Sequence, residues 1–212
     1  SQSRHSNAGT RGLDDYAKLI YVETALDTEL APAILAGQLR LVLITGNAGD
    51  GKTAFLQQLE AQVEAQGTSV HLNPQGNGSW FEINGHKYLT NYDGSQDEGN
   101  KDNDAVLEEF FSVYQGNDSN AWPHHETRLI AINEGRLVDF LTQHSERFSA
   151  LKAVVEQSLK DGSVQNDVAV VNLNMRDVLA STQSQPKSIF ERIIGKMTSA
   201  KVWQGCDYCA LK

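Results

Sequence analysis

Residues 39–66 follow one another as apolar run, glycine-rich turn and amphipathic helix, and this order constrains the fold more than any other feature. Leu39-Arg40-Leu41-Val42-Leu43-Ile44-Thr45 is nearly unbroken in its apolar character, the pattern of a parallel strand buried on both faces. Gly46-Asn47-Ala48-Gly49-Asp50-Gly51-Lys52-Thr53 comes next and fits G-x-x-x-x-G-K-[ST]. Phe55, Leu56, Leu59 and Val63 then recur at helical spacing, and Gly67 stops the helix. The turn has its own chemistry. Its glycines let successive backbone N–H groups converge, and the helix N-terminus adds partial positive charge, so the turn suits phosphate oxygens. Lys52 would bridge the β- and γ-phosphates of a nucleoside triphosphate, and Thr53 would ligate Mg²⁺. The expected ligands are therefore ATP and Mg²⁺.

The rest of the chain extends this unit. Residues 13–36 read as helical, with a second helix over 27–36 that tolerates Pro32 near its first turn and ends at Gly37. Ser69–Leu72 reads as a short strand. Trp80–Ile83 and His86–Leu89 flank Asn84-Gly85, the signature of a β-hairpin with a type I′ turn. Asp93–Asp104 is a loop, after which Asp102 or Asp104 caps a helix carrying Val106, Leu107, Phe110, Phe111 and Tyr114. Leu129–Ile132 and Val168–Leu173 are further core strands. Leu137–Leu141 and Leu151–Leu159 lie on helices, and a last helix opens at Pro186. Strands alternating with helices predict a three-layer α/β fold, a mainly parallel sheet flanked by helices, with an inserted β-hairpin at about 78–92.

At 212 residues the chain has room for one substantial core. The expected organisation is a linker over 1–12, a domain over 13–200, and the start of a truncated zinc-binding segment over 201–212. Opening on Ser1 and stopping three residues past a Cys-x-x-Cys pair, the chain reads as a piece of a longer protein. No apolar run approaches bilayer length, and two cysteines are too few for a disulfide framework, so a cytoplasmic setting without membrane is expected. A net charge of −9 disfavours direct, non-specific nucleic-acid binding by this segment.

Candidate catalytic residues gather at strand ends. Leu129–Ile132 runs into Asn133-Glu134, where Glu134 stands as a general base and Asn133 would hold Mg²⁺ through water, unless Asn133 simply caps the next helix. Asp93 is the rival metal carboxylate. Asn172 and Asn174 end the last core strand, where a polar group can contact the γ-phosphate or position water, or merely form a turn; Asn174 joins Glu134 and Lys52 in the expected catalytic set. Arg176 either senses nucleotide, serves a neighbouring subunit, or is an ordinary surface residue. Cys206 and Cys209 have the spacing of half a tetrahedral zinc site, completed beyond Lys212 or by His124 and His125. Unpaired thiols or a redox pair are the competing readings. His71, His86 and His144 are isolated and read as surface or packing residues. No Asn-Lys-x-Asp guanine-reading motif occurs, and residues 100–130 supply only Arg128 toward the arginine-rich lid of a small-molecule kinase.

On Gly46–Thr53, Leu129–Glu134 and Val168–Asn174, the chain resembles the AAA+ and STAND-like branch of P-loop ATPases over about residues 27–200. The phrases Ile44–Thr53 and Ile130-Ala131-Ile132-Asn133-Glu134-Gly135, with the terminal Cys-x-x-Cys, are similar to ATPase modules of bacterial anti-phage proteins. These are of the phage-growth-limitation kinase–ATPase or phosphorothioation-dependent restriction type. The resemblance implies an ATP-binding, ATP-hydrolysing module of a larger defence protein, or a nucleotide-dependent switch with little hydrolysis. Asn133 departs from the family's Asp, and no arginine is evident as a finger in cis. Slow turnover is therefore expected until self-association or another domain completes the site.

Overall fold

In the computed structural model, which describes residues 15–181, 186–200 and 202–203, six strands form one sheet in the order β2-β3-β4-β5-β1-β6. They are β1 (Leu41–Thr45), β2 (His71–Leu72), β3 (Ser79–Ile83), β4 (His86–Asn91), β5 (Glu126–Ile132) and β6 (Val168–Asn172). The helices are α1 (Asp15–Ile20), α2 (Ala31–Leu35), α3 (Lys52–Ala65), α4 (Asn103–Phe110), α5 (Glu134–Gln143), α6 (Ser149–Asp161) and α7 (Ile189–Met197), with a π-helical turn over Leu26–Leu30 leading into α2. The expectations for residues 1–12, Cys206 and Cys209 fall outside the described residues. Among the described residues no helix is long and apolar enough to cross a membrane.

The apolar run of β1 does what its composition requires. Leu41, Val42, Leu43 and Ile44 are each fully buried, a gain of about 1.5–3 kcal/mol per side chain relative to exposure. Their alternation splits them between two layers. Val42 and Ile44 pack with Phe55, Leu56, Leu59 and Val63 of α3. Leu41 and Leu43 pack on the opposite face with Leu107 of α4, Leu137 and Phe140 of α5, and Leu151 and Val155 of α6. Helices thus cover both faces of a mixed sheet. β1 runs parallel to β5 and β6, and β4 runs parallel to β5.

The hairpin is built into this sheet. Asn84 (φ 52°) and Gly85 (φ 79°) make the expected turn. β3 pairs antiparallel with β4 and with β2, whereas β4 pairs along its length with β5, Tyr88 opposite Thr127 and Asn91 opposite Ile130. The helix ends follow their capping chemistry. Asp102 caps α4 by accepting from the Ala105 N–H. α7 starts at Ile189 rather than at Pro186, because Ser188 and Glu191 form a reciprocal capping box there.

Candidate functional site

Four parallel strands end on the same side of the sheet, and the segments leaving them carry most residues singled out in the sequence. β1 leads into Gly46–Thr53, β4 into Tyr92 and Asp93, β5 into Asn133 and Glu134, and β6 into Leu173–Arg176. The carboxyl edge of such strands is where open α/β sheets place their ligands.

The loop from β1 curls through Gly46, Gly49 and Gly51, whose φ angles are 152°, 88° and 88°. Gly46 is required twice over, by its backbone and by space. A Cβ there would lie 2.8 Å from Asp50 Oδ2 and 3.1 Å from Leu173 Cβ. Lys52 opens α3, and its Nζ donates to the carbonyls of Gly46 (2.9 Å) and Asn47 (2.7 Å). The Asn47 N–H is shared between Asp50 Oδ2 (2.6 Å) and Asn174 Oδ1 (3.1 Å). Thr53 Oγ1 donates to the Tyr92 carbonyl at 2.9 Å, which brings the helix start against the segment leaving β4.

A chain of hydrogen bonds joins the two asparagines to Glu134. Asn172 Nδ2 donates to Glu134 Oε2 at 2.6 Å, Asn172 Oδ1 accepts from the Asn174 N–H at 3.0 Å, and Asn174 reaches the loop at Asn47. Lys52, Glu134 and Asn174, which the sequence could list only separately, therefore belong to one connected group. Arg176 also reaches the loop from within the chain, its Nη2 donating to the Asp50 carbonyl at 3.0 Å.

Asn133 takes the capping position weighed against its metal role. Its Oδ1 accepts from the Gly135 and Arg136 N–H groups at 2.9 and 3.4 Å, which occupies the oxygen with the start of α5. Asp93 holds its own turn, accepting from the Ser95 N–H (3.0 Å) and Gln96 Nε2 (2.7 Å). Gly94 is pressed against β5, donating from its N–H to the Ala131 carbonyl at 2.8 Å; a Cβ there would lie 2.7 Å from Ile130 Cδ1. Among the described residues no three His, Cys, Asp or Glu side chains converge to hold a metal. Two oxygen-bearing side chains adjoin the Tyr92 backbone: Thr53, whose hydroxyl donates to its carbonyl, and Asp93, the next residue, whose two carboxylate oxygens hold its own turn.

Beside the loop lies a cavity of about 270 Å³ that the sequence did not announce. Its floor is Gly49–Gly51 and Ala54; its walls are Tyr21, Val22 and Thr24 before α2, Arg176, and Ile189 and Ile193 of α7. Tyr21 donates to Asp27 Oδ1 at 2.6 Å, and burial together with that carboxylate raises its pKa well above the ordinary tyrosine value. The cavity brings together segments far apart in sequence, so no local pattern could have revealed it.

One residue was missed that did leave a local signal. Glu60 falls four residues after Leu56 and three before Val63, on the apolar stripe of α3, and it is 6% exposed. Its carboxylate accepts from Ser79 Oγ (2.6 Å), Thr90 Oγ1 (2.8 Å) and Tyr92 Oη (2.6 Å). Burial pushes its pKa up, and the three hydroxyls partly offset that.

The three isolated histidines make their contacts outside the loop. His71 stacks on Trp80, His86 shares a hydrogen bond with Thr127, and His144 faces Asp104 and Glu108. No family model, curated protein or solved structure matches this chain.

Proposed function

We propose that this chain is an ATP-binding, ATP-hydrolysing module with a P-loop fold, its loop being Gly46–Thr53. The observation that carries the reading is the meeting, at the carboxyl edge of β1, of a three-glycine turn, Lys52, the Thr53 hydroxyl, and a hydrogen-bonded chain ending in Glu134. The loop N–H groups and the N-terminus of α3 would supply positive potential for phosphate oxygens, the Asn47 N–H once released from Asp50 and Asn174. Lys52 would exchange its bonds to the Gly46 and Asn47 carbonyls for bonds to the β- and γ-phosphates. The cavity walled by Val22, Ile189 and Ile193 suits the flat apolar face of a base. At about 270 Å³ it lies just below the usual range of ligand pockets, roughly 300 Å³ and upward.

Mg²⁺, when bound, would neutralise charge developing between the β- and γ-phosphates. The residues that fit it are Thr53 and Asp93. Asn133 and Asp93 both have their side-chain oxygens engaged by nearby N–H groups, but Asp93 brings the negative charge that Asn133 lacks. Glu134 is half-buried and oriented by Asn172, and in this reading it accepts a proton from the attacking water. Asn174 holds the loop and would meet the terminal phosphate.

A second reading, a nucleotide-dependent switch with little turnover, is favoured by one bond: Asn172 already engages Glu134, so catalysis requires that contact to loosen. Single-turnover assays with radiolabelled ATP separate the two. Product formation that disappears in Glu134→Gln, with ATP still bound, supports hydrolysis. Binding without product, in wild type and at every protein concentration, supports the switch.

A further inference from the structure

We propose that Glu60 is a positioning residue that sets Asp93 against the metal-ligating end of α3. This inference rests on the reading that Thr53 and Asp93 serve Mg²⁺.

Glu60 and Thr53 are seven residues apart, two turns along one face of α3. Tyr92 is clasped by both. Its hydroxyl donates to Glu60 Oε2 at 2.6 Å, and its carbonyl accepts from Thr53 Oγ1 at 2.9 Å. The next residue is Asp93. A tyrosine held at its tip and at its backbone cannot slide along the helix, so the clasp fixes the register of Asp93 relative to the Thr53 hydroxyl.

The remaining bonds of Glu60 extend the hold into the sheet. Ser79 belongs to β3 and Thr90 to β4, and both donate to Glu60 Oε1. Beyond Asp93 the segment is pinned from the other side, Asn77 Nδ2 donating to the Asp93 carbonyl at 3.1 Å and the Gly94 N–H to Ala131.

Packing alone does not call for a carboxylate here. The stripe around Glu60 is Leu56, Leu59 and Val63, and a leucine would fill the same face without desolvating a charge. What the carboxylate adds is three directed bonds, two to the sheet and one to Tyr92. Groups one step removed from a metal ligand commonly govern its orientation, and their loss costs affinity for the metal rather than for everything the site binds.

The test measures ATP affinity by calorimetry with and without Mg²⁺, in wild type, Glu60→Gln and Tyr92→Phe, with a thermal melt of each. Tyr92→Phe keeps the ring and removes only the clasp, so it guards against a Glu60 variant that fails to fold. In both variants the Mg²⁺ concentration for half-maximal ATP binding should rise by about 10–100-fold, while affinity for ATP in a chelator stays at the wild-type value. If both variants keep the wild-type Mg²⁺ requirement, or lose metal-free and metal-dependent affinity alike, Glu60 is a packing residue and the inference is overturned. Wild type that binds no ATP at all overturns the nucleotide reading itself, and this inference with it.

Discussion

The two ends of β1 are both polar, and they treat their polar groups in opposite ways. At the amino end, Arg40 is 6% exposed, yet its guanidinium is consumed by the protein. Nη1 donates to the Ser119 carbonyl (2.9 Å), Nη2 donates to the Asn166 carbonyl (2.8 Å), and Nε faces Asp167 at 3.3 Å. The Arg40 carbonyl accepts from Tyr114 Oη and from the Arg128 N–H. At the carboxyl end, the Lys52 ammonium rests on two carbonyls of its own loop, and the Asn47 N–H is shared between two side chains. Partners from distant segments lock the first end. At the second, the Lys52 ammonium rests on its own loop, although Asn174 and Arg176 reach that loop from beyond β6. In the proposed reading a phosphate would replace the Lys52 contacts, so one end of the strand builds the fold and the other would serve a ligand.

The comparison breaks most readily at Arg40. Arg40→Ala leaves the Ser119 and Asn166 carbonyls without their donor and Asp167 without its cation, and should cost about 3 kcal/mol of folding free energy, read by chemical denaturation. Any nucleotide affinity should survive wherever the protein stays folded. A variant of unchanged stability would remove the contrast between the two ends.

Glu134→Gln comes next. Turnover should fall about 10²-fold or more, the scale of a lost general base, with ATP binding and the melting temperature near wild type. A normal rate in Glu134→Gln together with a dead Asp93→Asn would move the base to Asp93.

A smaller change sharpens the amino end. Tyr114→Phe removes one donor from the Arg40 carbonyl, which keeps the Arg128 N–H. The expected loss is about 1 kcal/mol, with ATP binding untouched.

The smallest effect is a slope. Burial raises the Glu60 pKa in the folded protein, so the folded state holds its proton to higher pH than the unfolded state does. This group's contribution is fully present below its unfolded pKa and declines as pH rises through the raised folded value. Melting temperature followed upward from the ordinary carboxylate range should therefore fall more steeply in wild type than in Glu60→Gln. Parallel curves would mean that Glu60 titrates normally.

How much of this was legible follows from the range of each signal. The strand, turn and helix over 39–66 are visible because apolar continuity, glycine spacing and helical periodicity are local, and β5, β6 and the Asn84-Gly85 turn show for the same reason. The link from Glu134 through Asn172 and Asn174 to Asn47 was not legible, since it spans three strand ends that only the sheet order brings together. The sequence named those residues without their connection. The parallel pairing of β4 with β5 was hidden too, because a hairpin turn signals only its own antiparallel partner. The cavity against α7 depends on Tyr21–Thr24 meeting Ile189 and Ile193, contacts that no periodicity encodes. Glu60 did leave a mark, a carboxylate in an apolar stripe, although a charged residue on a helix ordinarily faces solvent.

In the proposed reading Gly46–Thr53 holds a nucleoside triphosphate through Lys52. Calorimetric titration of ATP with Mg²⁺ into wild type and Lys52→Ala tests it most directly, with a melt of both proteins as the control. Binding to wild type should be saturable and should weaken about 10²-fold or more in Lys52→Ala, as loss of charged hydrogen bonds worth about 3 kcal/mol implies, at an unchanged melting temperature. Equal affinity in the two proteins, or no binding to folded wild type, would contradict it.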